Sequence, residues 1–471
     1  MRRMLWVLLI SLLFSPGCGT TVSETETETQ PIKLRFSFWE PGMYREMEDA
    51  LQKVVDQYET IHPDVSIELI SRPVENYENW IKSCIVADDL PDIESSHANL
   101  LATQFNAGLV VDITDLLNEK SAYEPGQLWK DTFIPKKLEQ ANIDYLNSLC
   151  NIPLFGTEVA FYYNKTIYQE LGLTPPATWH EFMQNCEVIQ KAGKTPIVFP
   201  GQKEAASSWL EWEIGQGMSA KRFLFDPNIN VNQDMTISIY EKNRAVALGY
   251  WDVSKDKTFQ KILSNYISCV EEFFDYCGTT PDLEESIAKT MFVNGEAIHI
   301  NTGVWDAKSF LHNPLVNFEV GTFPMPEFTK EDTDYPGGRM YTGTVQCLAV
   351  TKSVYQQEGK LEAAVDFLQY LTSKEIYQRF VNEIIALPTV KEVSYDSEIE
   401  TFLNGEYIVG TWFLNSVIQD ILAGKKTIAD QEFFNQVAHD EMQKAKQTLE
   451  QMGLTDKNQY TYAEKQQGGC L

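Results

Sequence analysis

The sequence predicts an α/β protein of two domains, each built on a largely parallel sheet. Two observations carry this. Short runs of alternating apolar residues recur along the chain, separated by segments with apolar residues at helical spacing, the pattern of strands joined by crossover helices. The chain has 471 residues, 43% of them hydrophobic and 12% aromatic. That is ample for a large core and beyond the size at which one core usually divides.

The elements follow in order. Arg2 and Arg3 precede an apolar run over residues 4–14, which reads as an export signal spanning 1–17. It is too short to remain as a membrane-spanning helix, which needs about 20 apolar residues. Residues 18–31 open on Cys18 and continue as an alternating Thr/Glu tether with too little apolar content for a core. "IKLRFSFW" then places Ile32, Leu34, Phe36 and Phe38 on one face of a strand. Met47, Leu51, Val54, Val55, Tyr58 and Ile61 mark a helix that Pro63 stops. "DVSIELI" is a second strand, residues 76–87 a second helix, and "LPDIESS" a third strand. A second α/β block opens at "IPLFGTEVAFYYNK", where Thr178 and Glu181 fit a capping box and Gly193 closes the helix they start. Residues 200–290 read as helical, "AIHINTG" and "VNFEVGTFPMP" as strands, and the chain after Lys360 as mostly helical.

Composition excludes several functions. A net charge of −29 argues against nucleic acid and against adhesion to anionic lipid by charge. The eight cysteines are scattered, with no Cys-x-x-Cys, and read as buried thiols; only Cys269 and Cys277 are close enough in sequence to suggest a pair. Gly-x-Ser-x-Gly, His-Glu-x-x-His and P-loop signatures are missing. "GQGMSA" (215–220) matches a dinucleotide fingerprint in form, but it follows no strand and reads as a loop. "DPNINVNQD" has Val231 and Ile237 where a calcium loop needs Gly and Glu. Neither metal nor cofactor is expected.

Aromatic residues are the positive signal. Trp39-Glu40, Trp209-x-x-Trp212, Trp251-Asp252, Trp305-Asp306 and Tyr341-Thr342-Gly343 set rings beside hydrogen-bonding groups. An indole covers the C–H face of a sugar while carboxylates and amides bond its hydroxyl rim. The same tryptophans could fill cores, and Glu40, Glu158, Asp252 and Asp306 leave a secreted glycoside hydrolase open.

A series of segments then resembles one family. "HPDVSIELI", "LPDIESSHANLLATQFNAGLVVDITDLL", "IPLFGTEVAFYYNKTIYQELGLTPPATWHEFMQNCEVIQKAGKTPI", "MFVNGEAIHINTGVWD" and "EAAVDFLQYLTSKEIYQRFVNEIIALPTVKEV" are similar, in this order, to the solute-binding proteins of bacterial ABC importers, family 1, which includes maltose-binding protein. The resemblance implies a type II periplasmic-binding-protein-like fold: two lobes, a ligand cleft between them, and hinge crossings near 140–155, 300 and 345. It assigns 32–145 plus 300–345 to the N-terminal lobe and 146–299 plus 346–471 to the C-terminal lobe. It implies a binding protein, not an enzyme, which takes a carbohydrate and hands it to membrane permease subunits. Glycerophosphodiesters, polyamines and peptides are the other ligands such a scaffold could take; a phosphate would want a basic residue, and Arg339 is the one candidate.

Carried over by position, Trp39, Glu40, His97, Asn99, Gly156, Thr157, Glu158, Trp305, Asp306, Tyr341, Thr342 and Gly343 are expected at the ligand; Trp209, Trp212 and Trp251 are added by residue type. Many relatives are anchored through an N-terminal lipidated cysteine, which points to Cys18, a monomer held to the outer face of the cytoplasmic membrane by lipid alone. Gly17-Cys18 fits a lipoprotein box, while Ser15-Pro16 departs from it.

Overall fold

The computed structural model describes residues 31–40, 46–142, 148–201, 204–231, 233, 237–278, 280, 282–337, 340–341, 345–403, 406–407, 417–425 and 429–454. The expected leader, Cys18 and nearly all of the expected tether lie outside them. Two sheets organise the chain. The first contains β1 (Ile32–Glu40), β2 (Val65–Pro73), β3 (Ile93–His97), β4 (Ile152–Gly156) and β10 (Val345–Val350), in the order β2-β1-β3-β10-β4. The second contains β5 (Val159–Asn164), β6 (Thr195–Val198), β7 (Ala297–Gly303) and β8 (Val320–Phe323), in the order β6-β7-β5-β8. A two-residue strand β9 (Met340–Tyr341) pairs with β11 (Glu406–Tyr407).

The expected alternation in β1 is real. Leu34, Phe36 and Phe38 are fully buried and join Leu51, Val54 and Val55 of the helix Glu46–Ile61 in the core of the first lobe. Burying each such side chain stabilises the fold by about 1.5–3 kcal/mol. Ser37 and Trp39 point to the opposite face, where they meet Tyr77 of the helix Val74–Ala87. In β5 both faces are buried: Phe161 and Tyr163 enter one core, Ala160 and Tyr162 another. The capping box forms as expected, with Thr178 and Glu181 opening the helix Trp179–Lys191 and Gly193 following it at φ +74°.

The Pro-Asp pair at the start of β3 has a clear physical role. The buried Asp92 carboxylate accepts the Arg35 N–H at 2.9 Å, the Ser353 hydroxyl at 2.8 Å and the Lys360 ammonium at 2.9 and 3.0 Å. One side chain thereby stitches β1 to the segment after β10 and to the helix Lys360–Leu371.

Three expectations need correction. Strand β10 and the helices Lys360–Leu371 and Lys374–Ile384 belong to the first lobe, while β7 and β8 belong to the second. The assignment of 300–345 and of the 346–390 stretch is therefore reversed. The crossings accordingly fall between Gly156 and Val159, just past the expected 140–155, at the entry to β10 at Val345, as expected, and along residues 385–397, with none near 300. "GQGMSA" is no loop: it lies inside the helix Glu204–Leu224. The six described cysteines, Cys269 and Cys277 among them, are free, and among the described residues no helix is long and apolar enough to cross a membrane.

Removing one partner of a buried ion pair costs about 3–5 kcal/mol, because the other charge is left buried. Asp92→Ala is expected to destabilise the first lobe by about that amount, read as an earlier transition in urea unfolding followed by tryptophan fluorescence.

Candidate ligand-binding cleft

Strand direction places the site. β1, β2 and β3 run parallel, and β4 shares their direction because both β3 and β4 are antiparallel to β10. Glu40, His97 and Gly156 therefore end at one edge of the first sheet. In the second sheet β6, β7 and β8 run alike, so Val198, Gly303 and Phe323 end at the edge where β5 begins at Val159. The short link from Gly156 to Val159 holds these two carboxyl-end edges face to face. Open α/β sheets bind ligands in this location, outside the carboxyl ends of the strands.

The second lobe supplies an aromatic wall. Trp305 follows β7 in a short 3-10 turn, and Trp209 projects from the first turns of the helix Glu204–Leu224. Both are half-buried, and their rings meet edge to face at 4.9 Å. Trp305 lies directly over Gly303: a Cβ at that glycine would stand 2.2 Å from the indole. Its turn is fixed from behind by Asp306, which is fully buried and bound to Lys289 Nζ at 2.8 Å and the Thr302 hydroxyl at 2.7 Å. Four residues beyond Trp209 on the same helix face, Glu213 accepts a hydrogen bond from the Asn301 amide at 3.1 Å. Burial, reinforced by Glu158, pushes the Glu213 carboxyl well above its ordinary pKa.

The first lobe brings Glu40 to this wall, and His97 ends β3 on the same sheet edge. Glu40 accepts the N–H groups of Met47 and Glu48, both at 3.1 Å, and so satisfies the start of the helix Glu46–Ile61. Desolvation nevertheless raises its pKa to about 7. Glu40 and Trp305 line the same small cavity at the rear of the cleft, with Phe155, Lys308 and Ile385. His97 is exposed, and its ring packs at 4.9 Å on Trp39. Lys308 of the second lobe donates to the Glu383 carbonyl of the first at 2.8 Å, tying the lobes together behind the cavity.

Several expected ligand residues have other roles. Trp251 is buried against Phe223 and Phe259 in the second-lobe core, and Asp306 is consumed by its ion pair. Trp39 is only 7% exposed and backs His97 instead of offering an open face. Gly156 is a buried crossing residue whose N–H bonds to the Leu387 carbonyl at 2.8 Å. Glu158 is also buried, close enough to raise the Glu213 pKa. Trp212 and Thr157 are half-buried and Asn99 is exposed near the cleft edge. Tyr341 lies in β9, while Thr342, Gly343 and Arg339 fall outside the described residues. Sequence reasoning missed Glu213, Asn301 and Lys308. The four-residue spacing from Trp209 to Glu213 was the available signal for the first of these.

The model of the bacterial extracellular solute-binding protein family matches residues 53–401, most of the chain. The chain belongs to that family. Among its relatives, this solute-binding protein is 23% identical over 359 residues to the multiple sugar-binding protein of Streptococcus mutans, covering 75% of this chain and 74% of that one. It is 21% identical to the melibiose/raffinose/stachyose-binding protein MelE of Bacillus subtilis, over 89% and 92% of the two chains. Among solved structures, a chitin oligosaccharide binding protein superposes with a TM-score of 0.68 at 16% identity, over 89% of this chain and 99% of that one. RafE in complex with raffinose gives 0.63 at 16% identity, over 88% and 99%. These likenesses fix the two-lobe, type II fold.

The Glu40 carboxyl carries a pH signature. Its folded-state pKa lies above its unfolded value, so the folded chain holds the proton more tightly. Its contribution to stability is full below pH 4.5 and is lost as pH rises to about 7. Glu40→Gln keeps an acceptor for the Met47 N–H and is expected to flatten that part of the profile, measured by urea unfolding at a series of pH values.

Proposed function

We propose that this solute-binding protein is the carbohydrate-binding component of an ABC importer, taking an oligosaccharide between its lobes and presenting it to the permease. The observation that carries the reading is the half-buried Trp209–Trp305 pair at 4.9 Å, set at the rear of the cleft beside Glu40. Aromatic faces flanked by a few convergent polar groups suit a sugar's alternating C–H and hydroxyl surfaces. Sugar-binding relatives and structural neighbours support the same ligand class. Binding closes the lobes to the extent that the sugar interacts better with the closed form.

Binding without turnover is the favoured chemistry. Of the four acids that kept a hydrolase open, Asp306 is held by Lys289, Asp252 folds back on Ser254 and Lys255, and Glu40 caps a helix. Glu158 is buried. A glycosidase needs two carboxyls about 5–9 Å apart with access to the scissile bond, and these residues supply no such free pair.

Titration calorimetry with raffinose, stachyose and chitooligosaccharides tests the proposal. Saturable binding with no products on chromatography is expected, and turnover would overturn it. Trp305→Ala is expected to weaken the bound sugar at least about tenfold, or about 1.4 kcal/mol, with an unchanged circular dichroism spectrum. Unchanged affinity with a collapsed melting temperature would mark Trp305 as core.

We further propose that the mature chain starts at lipidated Cys18 and works as a monomer at the outer face of the cytoplasmic membrane. Two or more acyl chains give stable anchoring where one does not. Cys18→Ser is expected to move the protein from the membrane fraction to the medium and to abolish labelling by radioactive palmitate.

A further inference from the structure

Away from the cleft, on the second lobe, His312, Asp396 and Glu398 each offer one ligand atom, and the three atoms lie within 4.8 Å of one another. We infer that this trio is a zinc-binding site that fastens the third crossing of the chain to the second lobe. His312 Nε2 stands 3.2 Å from Asp396 Oδ2 and 3.5 Å from Glu398 Oε2. Two N or O donors at zinc bond lengths around a tetrahedral ion lie about 3.3 Å apart. Both spacings from the imidazole therefore already match those of a shared metal, and a rotation of the exposed Glu398 side chain closes the remaining gap.

The donor types fit as well. One imidazole with two carboxylates is a borderline set that suits a divalent transition ion better than calcium or magnesium, which prefer oxygen alone. Glu398 also lines a surface cleft of about 450 Å³ with Glu319, Glu400 and Thr401, so water has access to the remaining coordination position. Without a metal, His312 Nε2 and Asp396 Oδ2 share a hydrogen bond at 3.2 Å.

Position in the chain gives the site its consequence. Up to Ser394 the crossing segment is bound to the first lobe, through Lys391 to the Thr132 carbonyl and Ser394 to Gln378. From Glu398 it is bound to the second, through Thr322. Asp396 is the point of transfer, and His312 sits at the end of the helix Ala307–Leu311, which follows directly from the Trp305 turn. A metal held here joins the arriving chain to the element that carries the aromatic wall.

The test uses the mature chain without an affinity tag, stripped with chelator and titrated with zinc sulfate. One zinc per chain by calorimetry and elemental analysis is expected, with a melting temperature that rises with zinc concentration. His312→Lys keeps an ion pair to both carboxylates but is a poor ligand at neutral pH. It is expected to retain the metal-free melting temperature and lose the zinc response, and Glu398→Gln to weaken binding at least about tenfold. A stoichiometry below one, or zinc binding unchanged in both variants, would overturn the inference. Neither outcome touches the sugar-binding reading, which is measured at a different place.

Discussion

Everything at the cleft depends on the crossing at Gly156. The backbone passes from the end of β4 to the start of β5 in two residues, and the Gly156 N–H is donated to the Leu387 carbonyl of another crossing. Two of the three connections between lobes are thus hydrogen-bonded to each other. A longer or looser link would let the sheets turn their carboxyl-end edges apart, and the residues that end the strands would no longer meet. A side chain at 156 would stand 3.1 Å from the Leu387 Cβ, so the crossing is packed as closely as the backbone allows.

On this frame the second lobe spends buried charge to hold an aromatic surface still. Lys289 and Asp306 stand behind Trp305, and Glu213, bonded to Asn301, stands beside Trp209. Burying such groups is costly unless they are paired, and here each has a partner: Lys289 with Asp306, Glu213 with Asn301. The indoles need not reorganise when a ligand arrives, which reduces the entropy lost on binding.

Much of the fold was legible in the sequence, because strand alternation and helix caps are local. β1, the Thr178–Glu181 box and the extended runs at β4, β5 and β7 all appear where their patterns place them. The lobe membership of β10 was not legible: an apolar six-residue strand pairs equally well in either sheet, and only contacts with β3, some 250 residues earlier in the chain, decide it. The site was partly legible for a related reason. Trp251 and Trp305 look alike beside an aspartate, yet one is ringed by Phe223 and Phe259 and the other sits in the turn that follows β7. Residue type names the chemistry a side chain can do; burial decides whether a ligand can reach it.

The bond from Lys308 to the Glu383 carbonyl gives the molecule a mechanical character. It lies at the back, beside the crossings, where it would act as a fulcrum for any swing of one lobe against the other. In a lever of this kind displacement grows with distance from the pivot. In such a swing the residues near Lys308, Trp305 and Glu40 included, would move least. The outer walls would travel furthest, so a solute seated on the inner surface would set by its far end how far the jaws move.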